Sequence, residues 1–235
     1  MFDFLNRFKN TSRKKSQRSY APNELWSPAL HKYMDTPLPS TCMDKSQAKF
    51  IAIDFETTGL NFEHDKILSI GSVELSSNEI YYSTSSEVYV NHGQYVKPSS
   101  ACVNKLTPKQ LANGHDIKVA MEELLQSIAG KVVLAHGAMI EKGFIDSFMR
   151  EHYRIDELPC LFVDTLELEK RFSYRARMRQ HTSYQLNDLR THYKLPKYQE
   201  HSAASDAASC AELFLVQQKK LTQLEKATLA DLIFT

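Results

Sequence analysis

From Phe50 onward the chain alternates short apolar runs with longer amphipathic stretches, and the period of each run assigns it to an element. Residues 49–54, led by Phe50-Ile51-Ala52-Ile53, read as a buried strand that closes on Asp54. Residues 66–75 and 80–90 are rich in Ile, Val and Tyr and are divided by the polar Ser76-Ser77-Asn78, which predicts two further strands in an antiparallel meander. The spacing then becomes helical. Thr107 followed by Pro108 starts a short helix over 107–113, and Asp116 caps an amphipathic helix over 116–129 that Gly130 closes. Lys131–His136 returns as a buried strand. Helices are predicted at 138–152, 164–172, 183–193 and 203–220, with a strand at 160–163. Three strands followed by alternating helices and strands predict an α/β fold, a mixed sheet flanked by helices.

Ahead of this pattern lies a different composition. Half of the chain's 8 prolines (Pro22, Pro28, Pro37, Pro39) fall before residue 40, so residues 20–46 read as an extended arm. Residues 1–19 carry Arg7, Lys9, Arg13, Lys14, Lys15 and Arg18 against Asp3, with Phe2, Phe4, Leu5 and Phe8 on one helical face. That segment suits a membrane surface, a nucleic acid or a partner groove, or is a frayed basic terminus. The expected division is therefore an arm over 1–46, a folded domain over 47–220 and a tail over 221–235, whose apolar Leu229–Phe234 could dock on the domain or on a partner.

Composition narrows the class. At 235 residues and 42% hydrophobic content the chain can bury one full core, and a second domain would be cramped. A net charge of +1 excludes a globally basic nucleic-acid binder while permitting a basic groove beside an acidic site. Cys42, Cys102, Cys160 and Cys210 lack paired spacing, which favours reduced, buried thiols and a cytoplasmic location. No apolar run reaches the about 18 residues of a membrane helix.

Chemistry concentrates in three segments. In DFETTGL (54–60), Asp54 and Glu56 are two residues apart on an extended backbone and point to the same side, an arrangement suited to a hard cation such as Mg²⁺ or Mn²⁺. In VVLAHGAMIEKGFI (132–145), His136 ends a strand and Glu141 lies in the first turn of the next helix, whose buried stripe is Ile140, Phe144 and Phe148. In HSAASDAASCAELF (201–214), His201 precedes Asp206 by five residues on a helix whose Ala203, Ala207, Ala208 and Ala211 permit close approach to the sheet.

The sequence Asp-x-Glu, an acid after a strand-borne His, then His-x-x-x-x-Asp resembles the DEDD superfamily of 3′→5′ exonucleases in its histidine-containing subclass. Within it the chain is similar to the proofreading epsilon subunit of bacterial DNA polymerase III and its paralogues, over roughly residues 48–218. The resemblance implies a ribonuclease H-like sheet and two Mg²⁺ (or Mn²⁺) ions held by Asp54, Glu56 and Asp206, with His201 as general base. It further implies nucleoside 5′-monophosphate products, and Thr57, Thr58 and Leu60 seating the terminal nucleotide. Ser202 stands where the sister subclass carries a catalytic Tyr. One residue departs from the pattern: Glu141 occupies the place of the family's third Asp, a role through water on the second metal that tolerates an added methylene. Asp146 is the alternative, but five helical positions rotate it away from Glu141.

Other features divide between function and structure. His136 either lines the substrate groove or belongs to the core edge. Lys170, Arg171, Arg175, Arg177 and Arg179, interleaved with Phe172 and Tyr174, could track a single strand or form a solvated face. Asp164 with Thr165 reads as a helix cap. Single-stranded DNA 3′ ends are the expected substrate, with RNA ends or short oligoribonucleotides as the alternative. A weakly active binding subunit is a third possibility. A polymerase or another protein is a possible partner.

Overall fold

A computed structural model describes residues 20–92, 106–175, 183–198, 202–221 and 228–233. Its elements are α1 (Pro28–Asp35), a 3-10 turn (Lys45–Gln47), β1 (Phe50–Thr57), β2 (Ile67–Leu75), β3 (Ile80–Tyr89), α2 (Pro108–Ala112), α3 (Ile117–Ile128), β4 (Val132–Ala135), α4 (Met139–Tyr153), β5 (Phe162–Asp164), α5 (Thr165–Arg175), α6 (Leu186–His192), α7 (Ala203–Leu221) and a 3-10 turn (Leu229–Asp231). The sheet has the order β3-β2-β1-β4-β5; β1-β2 and β2-β3 are antiparallel, β1-β4 and β4-β5 parallel. This is the mixed sheet flanked by helices that the sequence pattern predicts.

Strand alternation sorts β1 between two cores. Ile51, Ile53 and Phe55 face a cluster built with α1, α3 and α4, including Leu30, Met121, Leu125 and Phe148. Phe50 and Ala52 face the other cluster, with Ala207, Ala211 and Phe214 of α7; the Phe50 and Phe214 rings stand 5.2 Å apart. Asp54 and Glu56 continue this second row, so β1 carries its carboxylates on the α7 side.

Two expectations change here. The first is that β1 ends at Asp54: its ladder with β2 continues through Asp54–Gly71 and Glu56–Ser69, and breaks at an irregularity between Glu56 and Thr57. Both acids thus stand on regular, hydrogen-bonded backbone rather than in a loop. The second is that residues 20–46 form an extended arm. Pro28 is the first residue of α1, capped by Ser27, whose side chain accepts from the Leu30 N–H at 3.2 Å. Trp26, Leu30 and Tyr33 are buried in the α1/α3/α4 core, and the Tyr33 hydroxyl donates to the Pro159 carbonyl at 2.7 Å. Of the four prolines Pro28 starts a helix while Pro22, Pro37 and Pro39 lie in irregular chain, and the apolar residues between them supply a core face.

The expected tail also docks on the domain. Leu229, Leu232 and Ile233 are buried in the α7-side cluster, and the Leu229 and Ala230 N–H groups donate to the carbonyls of Met43 and Thr41. Arg171, a candidate for phosphate tracking, donates instead to the Ile233 carbonyl at 3.3 and 3.4 Å. The candidates in residues 1–19, Cys102, Arg177, Arg179 and His201 lie outside the described residues. Cys210 is buried, Cys160 half-buried and Cys42 exposed, all three as free thiols. Among the described residues no helix is long and apolar enough to cross a membrane.

Candidate active site

The α7 helix brings the distant acid to β1. Gly71 of β2 lies beside Asp54, and a Cβ added to Gly71 would sit 2.0 Å from the Ala203 carbonyl carbon, so the missing side chain is what lets α7 begin flat against the sheet. One turn later, with Ala203 and Ala207 fully buried beneath it, Asp206 faces the strand. Oxygens of Asp54, Glu56 and Asp206 all lie within 4.8 Å of one another.

Close carboxylates in a buried setting disfavour ionisation. Burial raises the Asp54 carboxyl well above the ordinary aspartate value, with Glu141, Asp206, Glu56 and Glu87 adding repulsion. Burial likewise pushes Glu56, 8% exposed, up to about 7, helped by Asp206 and Glu87. Among the described residues no ion pair reaches Asp54, Glu56 or Glu141. Such a cluster fits a hard divalent cation, whose charge would replace the protons.

Glu141 is 4% exposed, its Oε2 has no hydrogen-bond partner among the described residues, and burial raises its carboxyl to about 8, partly offset by its own N–H and that of Phe55. It lies outside the three-acid group but its charge bears on Asp54. Asp146 faces elsewhere. Its Oδ2 pairs with Lys142 at 2.6 Å and its Oδ1 accepts from the Leu158 N–H at 2.9 Å, so it joins α4 to the chain before β5. A buried, unpartnered oxygen at Glu141 is a further mark of a site shaped for a cation.

Asp164 does more than cap α5. It accepts from Leu166 N–H at 2.9 Å, and also from Gly137 at 2.9 Å and Ala138 at 3.0 Å, holding the turn between β4 and α4 on which Glu141 depends. Gly137 has φ +81°, a conformation that glycine tolerates best. The parallel register places Asp164 beside Ala135. That long-range pairing is absent from the local sequence, where only the cap is legible.

His136 has its Nδ1 at 2.8 Å from the Thr165 hydroxyl and its Nε2 at 2.9 Å from the Tyr184 carbonyl, and burial lowers its pKa. Both ring nitrogens therefore bind protein. Of the two readings of His136, groove lining or core edge, this bracket between β4, α5 and the segment before α6 favours the core edge. The loop after β1 folds on itself: the Thr57 hydroxyl donates to the Gly59 carbonyl at 2.7 Å and the Thr58 hydroxyl to Asp65 at 2.9 Å. Leu60 projects 72% exposed, available to a ligand.

A model of the exonuclease family that includes RNase T matches residues 51–214. DNA polymerase III PolC-type of Thermotoga petrophila is 29% identical over 171 residues, covering 72% of this chain and 12% of that protein. The corresponding protein of Staphylococcus saprophyticus is 26% identical over 186 residues, 79% and 12% of the two chains. This chain therefore spans about an eighth of the length of the curated relatives it matches. Among solved structures, the nuclease domain of 3′hExo, a DEDDh family member bound to rAMP, superposes with a TM-score of 0.63 at 13% identity, covering 79% of this chain and 98% of that one. Escherichia coli Exonuclease I with a dT13 oligonucleotide gives 0.61 at 13% identity, covering 76% and 42%.

Proposed function

The chain belongs to the exonuclease family, and on that premise we propose that it is a divalent-metal-dependent 3′→5′ exonuclease that removes nucleoside 5′-monophosphates from single-stranded DNA ends. The observation that carries the proposal is the meeting of Asp54, Glu56 and Asp206 within 4.8 Å, with the buried Glu141 carboxylate bearing on Asp54. Likeness to PolC-type DNA polymerases supports DNA as the substrate and a replicative or repair setting.

In this mechanism Asp54, Glu56 and Asp206 would hold a divalent cation, and Asp54 together with Glu141 would serve a second. Bound Mg²⁺ or Mn²⁺ would supply the positive charge that activates water, neutralises the scissile phosphate and favours departure of the 3′ oxygen. His201 takes the proton from the attacking water; an imidazole suits the task because its unperturbed pKa lies near neutrality. Thr57 and Leu60 seat the terminal sugar and base, and the Thr58–Asp65 hydrogen bond keeps their loop in shape. Asp164 and His136 position the β4–α4 turn from behind.

Digestion of 3′- and 5′-labelled oligomers of DNA and RNA, with Mg²⁺, Mn²⁺ or EDTA, tests the proposal. Stepwise loss from the 3′ end of DNA, absent in EDTA and in Asp54→Ala, is expected. Turnover in EDTA, release from the 5′ end, or equal activity of Asp54→Ala refutes it. Faster digestion of RNA than of DNA transfers the same chemistry to RNA ends.

A further inference from the structure

A carboxylate that the proposed mechanism leaves unused stands beside the site. Glu87, on β3, lies opposite Gly71, which itself lies opposite Asp54, so Glu87 and Asp54 occupy one cross-strand row with only a glycine between them. Residues directly opposite across antiparallel strands point to the same face. The start of α7 passes over that glycine. Both Glu87 oxygens are held: Oε1 accepts from the Ser69 hydroxyl at 3.2 Å, and Oε2 from the Ser202 hydroxyl at 2.9 Å. Ser202 is the residue immediately before α7, and its carbonyl accepts the Asp206 N–H at 2.9 Å. Among the described residues no lysine, arginine or histidine forms an ion pair with Glu87.

The Ser69 and Ser202 hydroxyls thus hold, on the same sheet face as Asp54, a negative charge that no cation among the described residues pairs. If the carboxylate served only to anchor α7, a neutral acceptor would do so without adding repulsion to an already crowded cluster. The charge gains a use only when a cation is present. We propose that Glu87 is a positioning residue of the metal centre: oriented by Ser69 and Ser202, it seats the start of α7 and adds the negative charge that raises divalent-cation occupancy at Asp54, Glu56 and Asp206. It does not ligate the cation. The inference rests on the metal-dependent proposal above and extends it to a residue on the edge strand.

Glu87→Gln isolates the charge, because the amide keeps one acceptor oxygen and can donate to the other serine. Mn²⁺ binding to the full chain is measured by isothermal titration calorimetry, with Asp54→Ala as the control that removes the site, and unfolding is followed in EDTA. The expected result is Mn²⁺ binding weakened about tenfold in Glu87→Gln, the order typical of residues supporting metal ligands. The EDTA midpoint should be equal or higher, and hydrolysis should be restored by raising Mn²⁺. A purely structural Glu87 would instead lower the midpoint and leave Mn²⁺ affinity unchanged, and unchanged affinity overturns the inference whatever the activity. If Glu87→Gln does not fold, Ser69→Ala combined with Ser202→Ala frees the carboxylate without removing it, and must also weaken Mn²⁺ binding. Should the parent bind no Mn²⁺ that Asp54→Ala abolishes, the metal-dependent function itself fails, a result distinct from failure at Glu87.

Discussion

Metal-free protein should lose stability as the pH rises from 5 to 8, because the carboxyls of the site hold protons more tightly when folded. Glu56 is raised from 4.5 to about 7. Its contribution is therefore fully present below its unfolded value of 4.5 and is lost as the pH rises through about 7. With each pKa unit equal to about 1.4 kcal/mol, Glu56 alone accounts for roughly 2–3 kcal/mol across this interval. Glu141, raised to about 8, carries the decline to the upper end of the range. By the Glu56 share alone, a chain of this size should melt roughly 5–10 °C lower at pH 8 than at pH 5 in EDTA. Urea unfolding at each pH measures the effect directly. Glu56→Gln removes its share, so the variant should be more stable than the parent at pH 8 and about equal to it near pH 4.5. Saturating Mn²⁺ should reverse the trend, since cation binding requires ionised carboxylates and stabilises the folded form. A flat or rising EDTA profile, or a Glu56→Gln slope equal to the parent's, refutes the electrostatic account of the site.

Leu30→Ala should cost about 2–4 kcal/mol in urea unfolding, because Leu30 is 0% exposed in the core. A chain beginning at Gln47 should lose its cooperative melt by circular dichroism; native-like melting would return α1 to the status of an appendage. Glu141→Ala should lower kcat by about 10²–10⁴, as much as loss of a general base such as His201 typically costs, while Glu141→Asp retains much of the activity. Asp146→Ala should instead lose about 1–3 kcal/mol of stability with kcat preserved, as removal of a buried, hydrogen-bonded carboxylate from Lys142 and Leu158 implies. Gly71→Ala should abolish hydrolysis by displacing the first turn of α7, whose Ala203 carbonyl carbon lies 2.0 Å from the new Cβ. Wild-type rates in that variant would show that α7 can shift without moving Asp206.

What the sequence alone determined is what local periodicity and short spacing encode. The five strands and the helices from Thr107 onward follow from apolar period and caps, which act over one or two turns. The facing of Asp54 and Glu56 follows from strand alternation, and the preference for Glu141 over Asp146 from helical rotation. Tertiary structure decided whatever depends on which distant segment arrives. Proline content suggested an arm over residues 20–46, yet Trp26, Leu30 and Tyr33 are buried because α3 and α4 offer a face that no local rule reveals. His136 stands at a strand end in either case, and only the arrival of Thr165 and the Tyr184 carbonyl assigns its nitrogens to the interior. Asp164 and Glu87 were invisible as site residues for the same reason: their partners lie across the sheet, and hydrogen bonds between strands are set by register, which the whole fold selects.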